Sequence, residues 1–404
     1  MAQPARVQPG RADVGARPRS TVPALALVSV VLLALALRGP VSSVGPLLDD
    51  LRDDLGLQGA PGALIPALPL LCFGLLAPIA PALSRRLGLH RAVLAGAAVL
   101  ALGVALRNAG LPGLFLGTLL IGSGIAVVNV LLPAVVKADF SDRLSLATAL
   151  TTSSIALSAS LGAGFAQPLS SATGGPLGSL SVWLLPALVG VAAWVPLARR
   201  GRRDAPAAGA THVLPLLRDR VALSVTVFFG LQALAFYTLL AWLPSVLRDA
   251  GVPAAEAGAM LAVAASLGVP VSFLVPRLCA RRPSQGRWVL LVATPTFMGL
   301  FGLLTAPGEA PWLWSVLLGA GTGAAFPLGL TLVLLRSRDS AQAARLSAAA
   351  QGAGYVIASA GPFGIGLLHD ATGSWTPSLV VMVVLLGAQV LVGLHAAKAR
   401  TVVG

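Results

Sequence analysis

Residues 33 to 51 read "LALALRGPVSSVGPLLDDL", which places Arg38 inside an apolar run that otherwise passes for an ordinary membrane span. A charge in hydrocarbon costs about 3 kcal/mol on insertion scales and more than about 10 kcal/mol in simulations of an isolated helix. If the chain enters near Val22, Arg38 lies roughly 24 Å deep at about 1.5 Å per residue, with about 15 Å left to the span's end near Leu48. That is too deep for comfortable snorkelling to the headgroups. No Asp or Glu falls in the interior of any predicted span, so a structural ion pair has no candidate partner. The structural alternative is a guanidinium bonded to helix carbonyls. The functional reading is more specific: five donors in a fixed fork suit the planar acceptors of a carboxylate, nitro or cyanate-like group.

The neighbours of Arg38 support a binding role. Gly39 and Pro40 remove a side chain and a backbone donor, so the helix can open there and free carbonyls. Ser42 and Gly45 follow at i+4 and i+7, on the face of Arg38. An internal offset of 198 residues pairs Arg38 with Phe236, in "QALAFYTLLAW". Gln232 precedes Phe236 by one turn, and Tyr237 and Trp242 follow, giving an aromatic and amide wall opposite a charged one. Such a site suits a small, flat, polar solute. Asn129 is the one amide inside the fourth predicted span, and Gln351 and Tyr355 sit at i and i+4 in the eleventh. These nine, Gly45 excluded, are the candidate substrate contacts. Each has a structural alternative: aromatics as core, amides as helix–helix bonds worth about 0.6–2 kcal/mol.

Catalysis and metal binding find no support. His90, His212, His369 and His395 lie in loops or at span ends, and Cys72 and Cys279 sit in apolar context as packing residues. No nucleophile–base pair or metal-ligand cluster is visible, so neither an enzyme nor a cofactor is expected. The runs "GSG" and "GAGTG" lack the Lys-Ser/Thr of a phosphate loop, and small residues there let helices approach.

The elements that carry these residues follow from composition. Of 404 residues, 56% are hydrophobic and 10% charged, against about 25% charged in soluble domains. Apolar stretches of about 18 residues or more recur, long enough to cross a hydrocarbon core as helices. The limits expected are 22–46, 61–83, 92–108, 113–136, 144–168, 181–198, 220–246, 256–278, 287–305, 312–335, 343–368 and 376–396. Residues 1–20, polar and rich in Pro and Gly, are expected to be a disordered tail, and 199–219 a basic linker. The tail, an apolar run and "ALA" at 34–36 resemble a signal peptide, but apolar character continues to Leu48 and makes a whole span.

The net charge of +14 does not indicate nucleic acid, because the basic residues lie in short clusters between spans. With the N-terminus in the cytoplasm, inner segments hold 24 of the 28 Lys and Arg, and outer loops hold Arg52, Arg107 and Arg248. That asymmetry puts both termini in the cytoplasm of a cell's plasma membrane, with Lys137 and Arg336 as inner-face anchors. The halves also repeat. Pro46 matches Pro244 at 198, Arg85-Arg86 matches Arg281-Arg282 at 196, and "LLIGSGIA" (119–126) matches "VLLGAGTG" (316–323) at 197. Near-constant offsets indicate a duplicated six-helix unit, with bundles at 21–198 and 220–404 in the same orientation.

Two six-span halves and a basic linker resemble the major facilitator superfamily. The loop "SRRLGLHR" (84–91) resembles that superfamily's loop between spans two and three, without its usual acidic residue. Finer matches resemble its cyanate and 2-nitroimidazole transporter family. They are "LRGPVSSVGPLL" (37–48), "GTLLIGSGIAVVNVLLPAVVKADF" (117–140), "GLQALAFYTLLAWLPSVL" (230–247), "FPLGLTLVLLRSRD" (326–339) and "QGAGYVIASAGPFGIGLLHDATGSW" (351–375). The resemblance implies an all-α permease that moves a small anionic or polar planar solute by alternating access, Arg38 orienting it. An exporter of drugs or other small molecules is the alternative. It is the weaker one, because such pumps usually use a membrane carboxylate. The expected partners are the solute, the bilayer and a proton or other coupling ion, with the chain a monomer.

Overall fold

The computed structural model describes residues 24–57, 59–140, 143–199, 216, 218–279, 284–338, 340–398 and 400–402. The expected tail at 1–20 and most of the linker lie outside them. The described residues form sixteen helices. The first expected span is three of them: α1 (Ala24–Leu37), α2 (Gly39–Ser42) and α3 (Val44–Leu55). The second is α4 (Ala60–Leu76) and α5 (Ile79–Leu87), bent by 62°. The next three are α6 (Leu89–Leu106), α7 (Gly110–Asp139) and α8 (Leu144–Thr173), and α9 (Pro176–Ser181) with α10 (Leu184–Arg199) makes the sixth. The second half has one helix per segment: α11 (Arg220–Asp249), α12 (Ala254–Cys279), α13 (Gly286–Thr305), α14 (Pro311–Leu335), α15 (Ser340–Thr372) and α16 (Trp375–Ala396).

Ten helices are long and apolar enough to cross a membrane, and eleven if the bent pair counts as one. The eleventh segment, α15, is a continuous helix of 33 residues but is not among them. Its composition explains why. Ala, Gly, Ser and Gln dominate "SAAAQGAGYVIASAGPFGIG", because α15 packs between α11 and α4 rather than facing outward. The outer surface has the opposite character: Leu185, Leu334, Val384 and Leu391 are 65–71% exposed. Large aliphatic side chains displayed this way are a surface made for lipid.

The duplication read from the sequence recurs in packing. A Cβ on Gly124 would stand 2.5 Å from the Gly96 carbonyl oxygen, and one on its counterpart Gly321 would stand 2.1 Å from Thr296 Oγ1. The same close crossing is thus built once between α6 and α7 and again between α13 and α14. The halves meet along α4 and α15, along α8 and α12, and where α3 lies on α11. At that last crossing a Cβ on Gly45 would fall 2.1 Å from the Leu240 carbonyl oxygen, so only glycine fits.

Candidate functional site

The break in the first span builds the site. Arg38 belongs to neither α1 nor α2, and the helix ladder is opened there by a neighbouring side chain. In an unbroken helix the Gly39 N–H would donate to the Leu35 carbonyl. Here Gly39 N donates to Ser158 Oγ at 2.8 Å, and Ser158 Oγ donates to the Leu35 oxygen at 2.6 Å. A hydroxyl from α8 therefore bridges the missing rung, and the Arg38 N–H donates to the same oxygen at 3.3 Å. Gly39 is required because a Cβ there would meet the Trp183 ring at 2.0 Å. Ser42 is fully buried: its hydroxyl returns to the Arg38 carbonyl at 3.1 Å, against Gly162 of α8. Ser42 shapes the backbone that carries Arg38.

A second buried arginine completes the break. Arg107, at the end of α6, has no exposed surface. Its Nη1 donates to the Pro40 carbonyl at 2.6 Å and its Nη2 to Thr118 Oγ1 at 3.3 Å. Expected in an outer loop, Arg107 instead serves a carbonyl that lies beside the second interruption, at Ser43.

Arg38 itself turns towards the other half. Its Nη1 donates to the hydroxyl of Tyr237 on α11. Its Cζ lies 5.5 Å from the centre of the Phe73 ring and 5.7 Å from that of Tyr237, in cation–π range. Tyr355 on α15 stands on the remaining side, 6.2 Å from Tyr237 and 5.5 Å from Phe73 between ring centres, and interacts electrostatically with Arg38. Among the described residues no carboxylate lies within salt-bridge distance of Arg38. Arg38 as a whole is half-buried, and its guanidinium lies where the two halves meet.

The other expected contacts divide. Phe236 packs on Tyr237 at 5.1 Å. Gln232 is 2% exposed, and its Nε2 has no hydrogen-bond partner among the described residues. Gln351 donates to Ser347 Oγ at 2.9 Å, one turn before Tyr355. Asn129 is half-buried on α7, two turns beyond Gly122, which abuts Pro69 and Cys72 of α4. Trp242 lies apart, in a cluster at the end of the bundle away from the start of α1. Its indole N–H donates to the Pro362 carbonyl at 2.8 Å, and Arg52 Cζ lies 5.5 Å from its ring.

That far-end cluster ties the halves together. Arg52 pairs with Asp370, and Arg248 with Asp50 at 3.0 Å and Asp49 at 3.5 Å. Ser245 donates to Asp49 at 2.9 Å, and Gln167 donates to Asp50 at 2.6 Å. Burial holds the Asp49 carboxyl above its ordinary range, with the Ser245 hydroxyl and Arg248 pulling the other way. Arg52, expected in an outer loop, is 7% exposed. At the opposite end Arg336, read as an anchor, is buried. Its Nε donates to the Ala396 carbonyl at 2.8 Å and its Nη2 to that of Ala397 at 2.9 Å, and it also bonds Gln285.

Sequence reasoning missed Phe73, Ser158 and Arg107. Phe73 is one of 12 phenylalanines and carries no distinguishing signal. Arg107 could have been noticed, because only "RNAG" separates two long apolar runs there, too little loop to hold a charge far from the bundle.

Comparison with known proteins gives this geometry a family. Residues 30–362 match the model of the Major Facilitator Superfamily. The chain is 35% identical to the uncharacterized transporter YycB of Bacillus subtilis (strain 168), over 89% of this chain and 90% of that one. It is 32% identical to the 2-nitroimidazole transporter of Escherichia coli (strain K12), over 93% and 96%. It is 31% identical to the cyanate transport protein CynX of the same organism, over 86% and 91%. In fold it is similar to a bacterial homologue of the human lysosomal transporter Spinster in an inward-facing, occupied conformation. The TM-score is 0.74 at 13% identity, covering 92% of this chain and 96% of that one. Twelve helical segments in repeated halves, a charge at their meeting and relatives across nearly the whole length agree: the chain belongs to the major facilitator superfamily, in the branch of the cyanate and 2-nitroimidazole transporters, and is an integral membrane transporter, not an enzyme.

Proposed function

We propose that this transporter carries a small, flat solute that is anionic or presents strongly polarised oxygens, and that Arg38 binds and orients it. Cyanate and a nitroimidazole, the solutes named for two relatives, both fit that description. The observation that carries the reading is the surroundings of Arg38: a phenol and ring faces, with no carboxylate among the described residues to balance the charge. A buried cation left this way gains most from a ligand that brings the acceptor itself. The bundles at 21–198 and 220–404 rock about the site, with both termini in the cytoplasm, a reading that the distribution of Lys and Arg supports. The far-end ion pairs then seal the outer side, and opening towards the outside breaks them.

The test is uptake of radiolabelled cyanate and 2-nitroimidazole into liposomes holding purified protein. Arg38→Ala and Arg38→Lys are expected to lower uptake by at least about 100-fold while inserting normally, because a point charge does not replace a planar fork. Unchanged uptake in Arg38→Ala overturns the reading.

A further inference from the structure

The rings around Arg38 leave no gap between them for a flat molecule. The rings of Phe73, Tyr237 and Tyr355 stand 5.5–6.4 Å apart between centres, each pair edge to face. At such separations rings touch one another directly. Phe236 backs Tyr237, and Phe229 backs Tyr355 at 5.7 Å, so the aromatic group is packed from behind as well. One Arg38 nitrogen is already engaged, by the hydroxyl of Tyr237. A solute that reaches the guanidinium must therefore dislodge something.

We propose that Tyr237 is the resident occupant of the solute site: its phenol oxygen holds the position on Arg38 that a solute oxygen takes, and the solute binds by displacing it. This inference rests on the reading of Arg38 as the binding group and extends it to selectivity. A phenol oxygen is a neutral acceptor, whereas carboxylate and cyanate oxygens carry net negative charge. Both bond a charged donor, but only the anion adds the attraction of opposite charges, which is large in a low-dielectric setting, so anions win the exchange. Neutral oxygens such as those of alcohols bring no such gain to offset the lost phenol bond. Tyr237 thus filters by charge at a site where shape alone would admit many small molecules.

The exchange also has a mechanical side. Arg38 lies between α1 and α2 of the first half, and Tyr237 lies on α11 of the second. Their bond joins the two bundles near the middle, between the far-end ion pairs and the end that bears the described termini. Displacing the phenol breaks that tie as the solute arrives, so loading the site and loosening the halves become one event.

Tyr237→Phe separates this proposal from the simpler idea that Tyr237 donates a hydrogen bond to the solute. It keeps the ring, its edge contacts with Phe73 and Tyr355 and its face towards Arg38, and removes only the competing oxygen. Binding of cyanate, benzoate and glycerol to detergent-purified wild type, Tyr237→Phe and Arg38→Met is measured by titration calorimetry. Tyr237→Phe is expected to bind cyanate and benzoate about tenfold tighter than wild type, the scale of one lost charge-assisted bond. It is also expected to take up weak binding of glycerol that wild type lacks. Equal or weaker, but measurable, binding of the anions by Tyr237→Phe overturns the displacement proposal; no binding by wild type and Tyr237→Phe alike overturns the reading of Arg38 together with it. If Arg38→Met has lost all anion binding, the reading of Arg38 survives that failure. If Arg38→Met binds as wild type does, the reading of Arg38 fails first.

Discussion

Arg38 and Arg107 are two guanidinium groups enclosed among the same helices, and the protein treats them in opposite ways. Arg107 is spent on the fold: two of its nitrogens meet the Pro40 carbonyl and Thr118, and none of its surface is exposed. Arg38 meets only the phenols of Tyr237 and Tyr355 and the ring faces of Phe73 and Tyr237, none of which balances its charge. The first holds open the helix break from which the second projects. A buried charge is thus no indicator of a site until its donors have been traced to their acceptors.

Exchanging each arginine for methionine tests that contrast, and the largest effects are expected here. Arg107→Met leaves the Pro40 carbonyl without its partner and is expected to lower stability by about 2 kcal/mol. The fraction that folds should still bind solute. Arg38→Met removes an uncompensated charge from a low-dielectric setting, so its melting temperature should hold or rise while solute binding disappears. Thermal denaturation in detergent, alongside uptake, gives both readings. If Arg38→Met melts early and Arg107→Met transports nothing at full stability, the assignments are exchanged.

The fold was legible in the sequence to a different degree from the site. Span number, repeat and family came through because hydrocarbon imposes long apolar helices and the duplication preserves its glycines at one offset. The helix break at Arg38 was legible too, from Gly39 and Pro40. What repaired it was not. Ser158 and Arg107 act across helix–helix contacts, 119 and 67 residues from their partners, and a one-dimensional reading has no access to those pairings. Trp242 shows the same limit from the other side. Five residues beyond Tyr237 on one helix, it lies more than a full turn towards the far end and joins Arg52 instead of Arg38. Read as a loop charge, Arg52 turns out to form a part-buried tie between halves with Asp370, because α3 continues as a helix through the acidic stretch after the span.

That tie extends the comparison from two arginines to two kinds of cross-half contact. On the proposed reading the Arg38–Tyr237 bond is exchanged for solute, whereas the Arg52–Asp370 pair is broken by movement. Arg52→Ala removes the partner of Asp370 and the cation over Trp242, and leaves a half-buried carboxylate uncompensated. An intermediate effect is expected. Solute affinity at Arg38 should change less than about threefold, while the far end opens in a larger fraction of molecules, by about 1–2 kcal/mol. Spin labels across the far end, read as distance distributions, would show this as a grown long-distance population. If the distribution is unchanged, Arg52 contributes packing alone.

Asp49 supplies the smallest and most discriminating effect. Unlike Asp370, it sits between Ser245, Arg248 and Asp249, and burial holds its carboxyl above the ordinary 3.8 despite the hydroxyl and the arginine. A raised value means that the sealed far end binds the proton more tightly than an opened, hydrated one does. Protonation therefore stabilises the seal: the contribution is fully present below 3.8 and is lost as pH rises through the raised value. At neutral pH the charged Asp49 is a mild burden on the sealed form. Asp49→Asn should accordingly leave the spin-label distribution at pH 7 unchanged or slightly more sealed, by less than about 0.5 kcal/mol. It should also abolish the additional sealing that wild type acquires as pH is lowered towards about 4. If Asp49→Asn instead opens the far end as Arg52→Ala does, the Arg248 pair carries the seal and burial of Asp49 is not the dominant influence. The two acids at one interface would then differ in degree and not in kind.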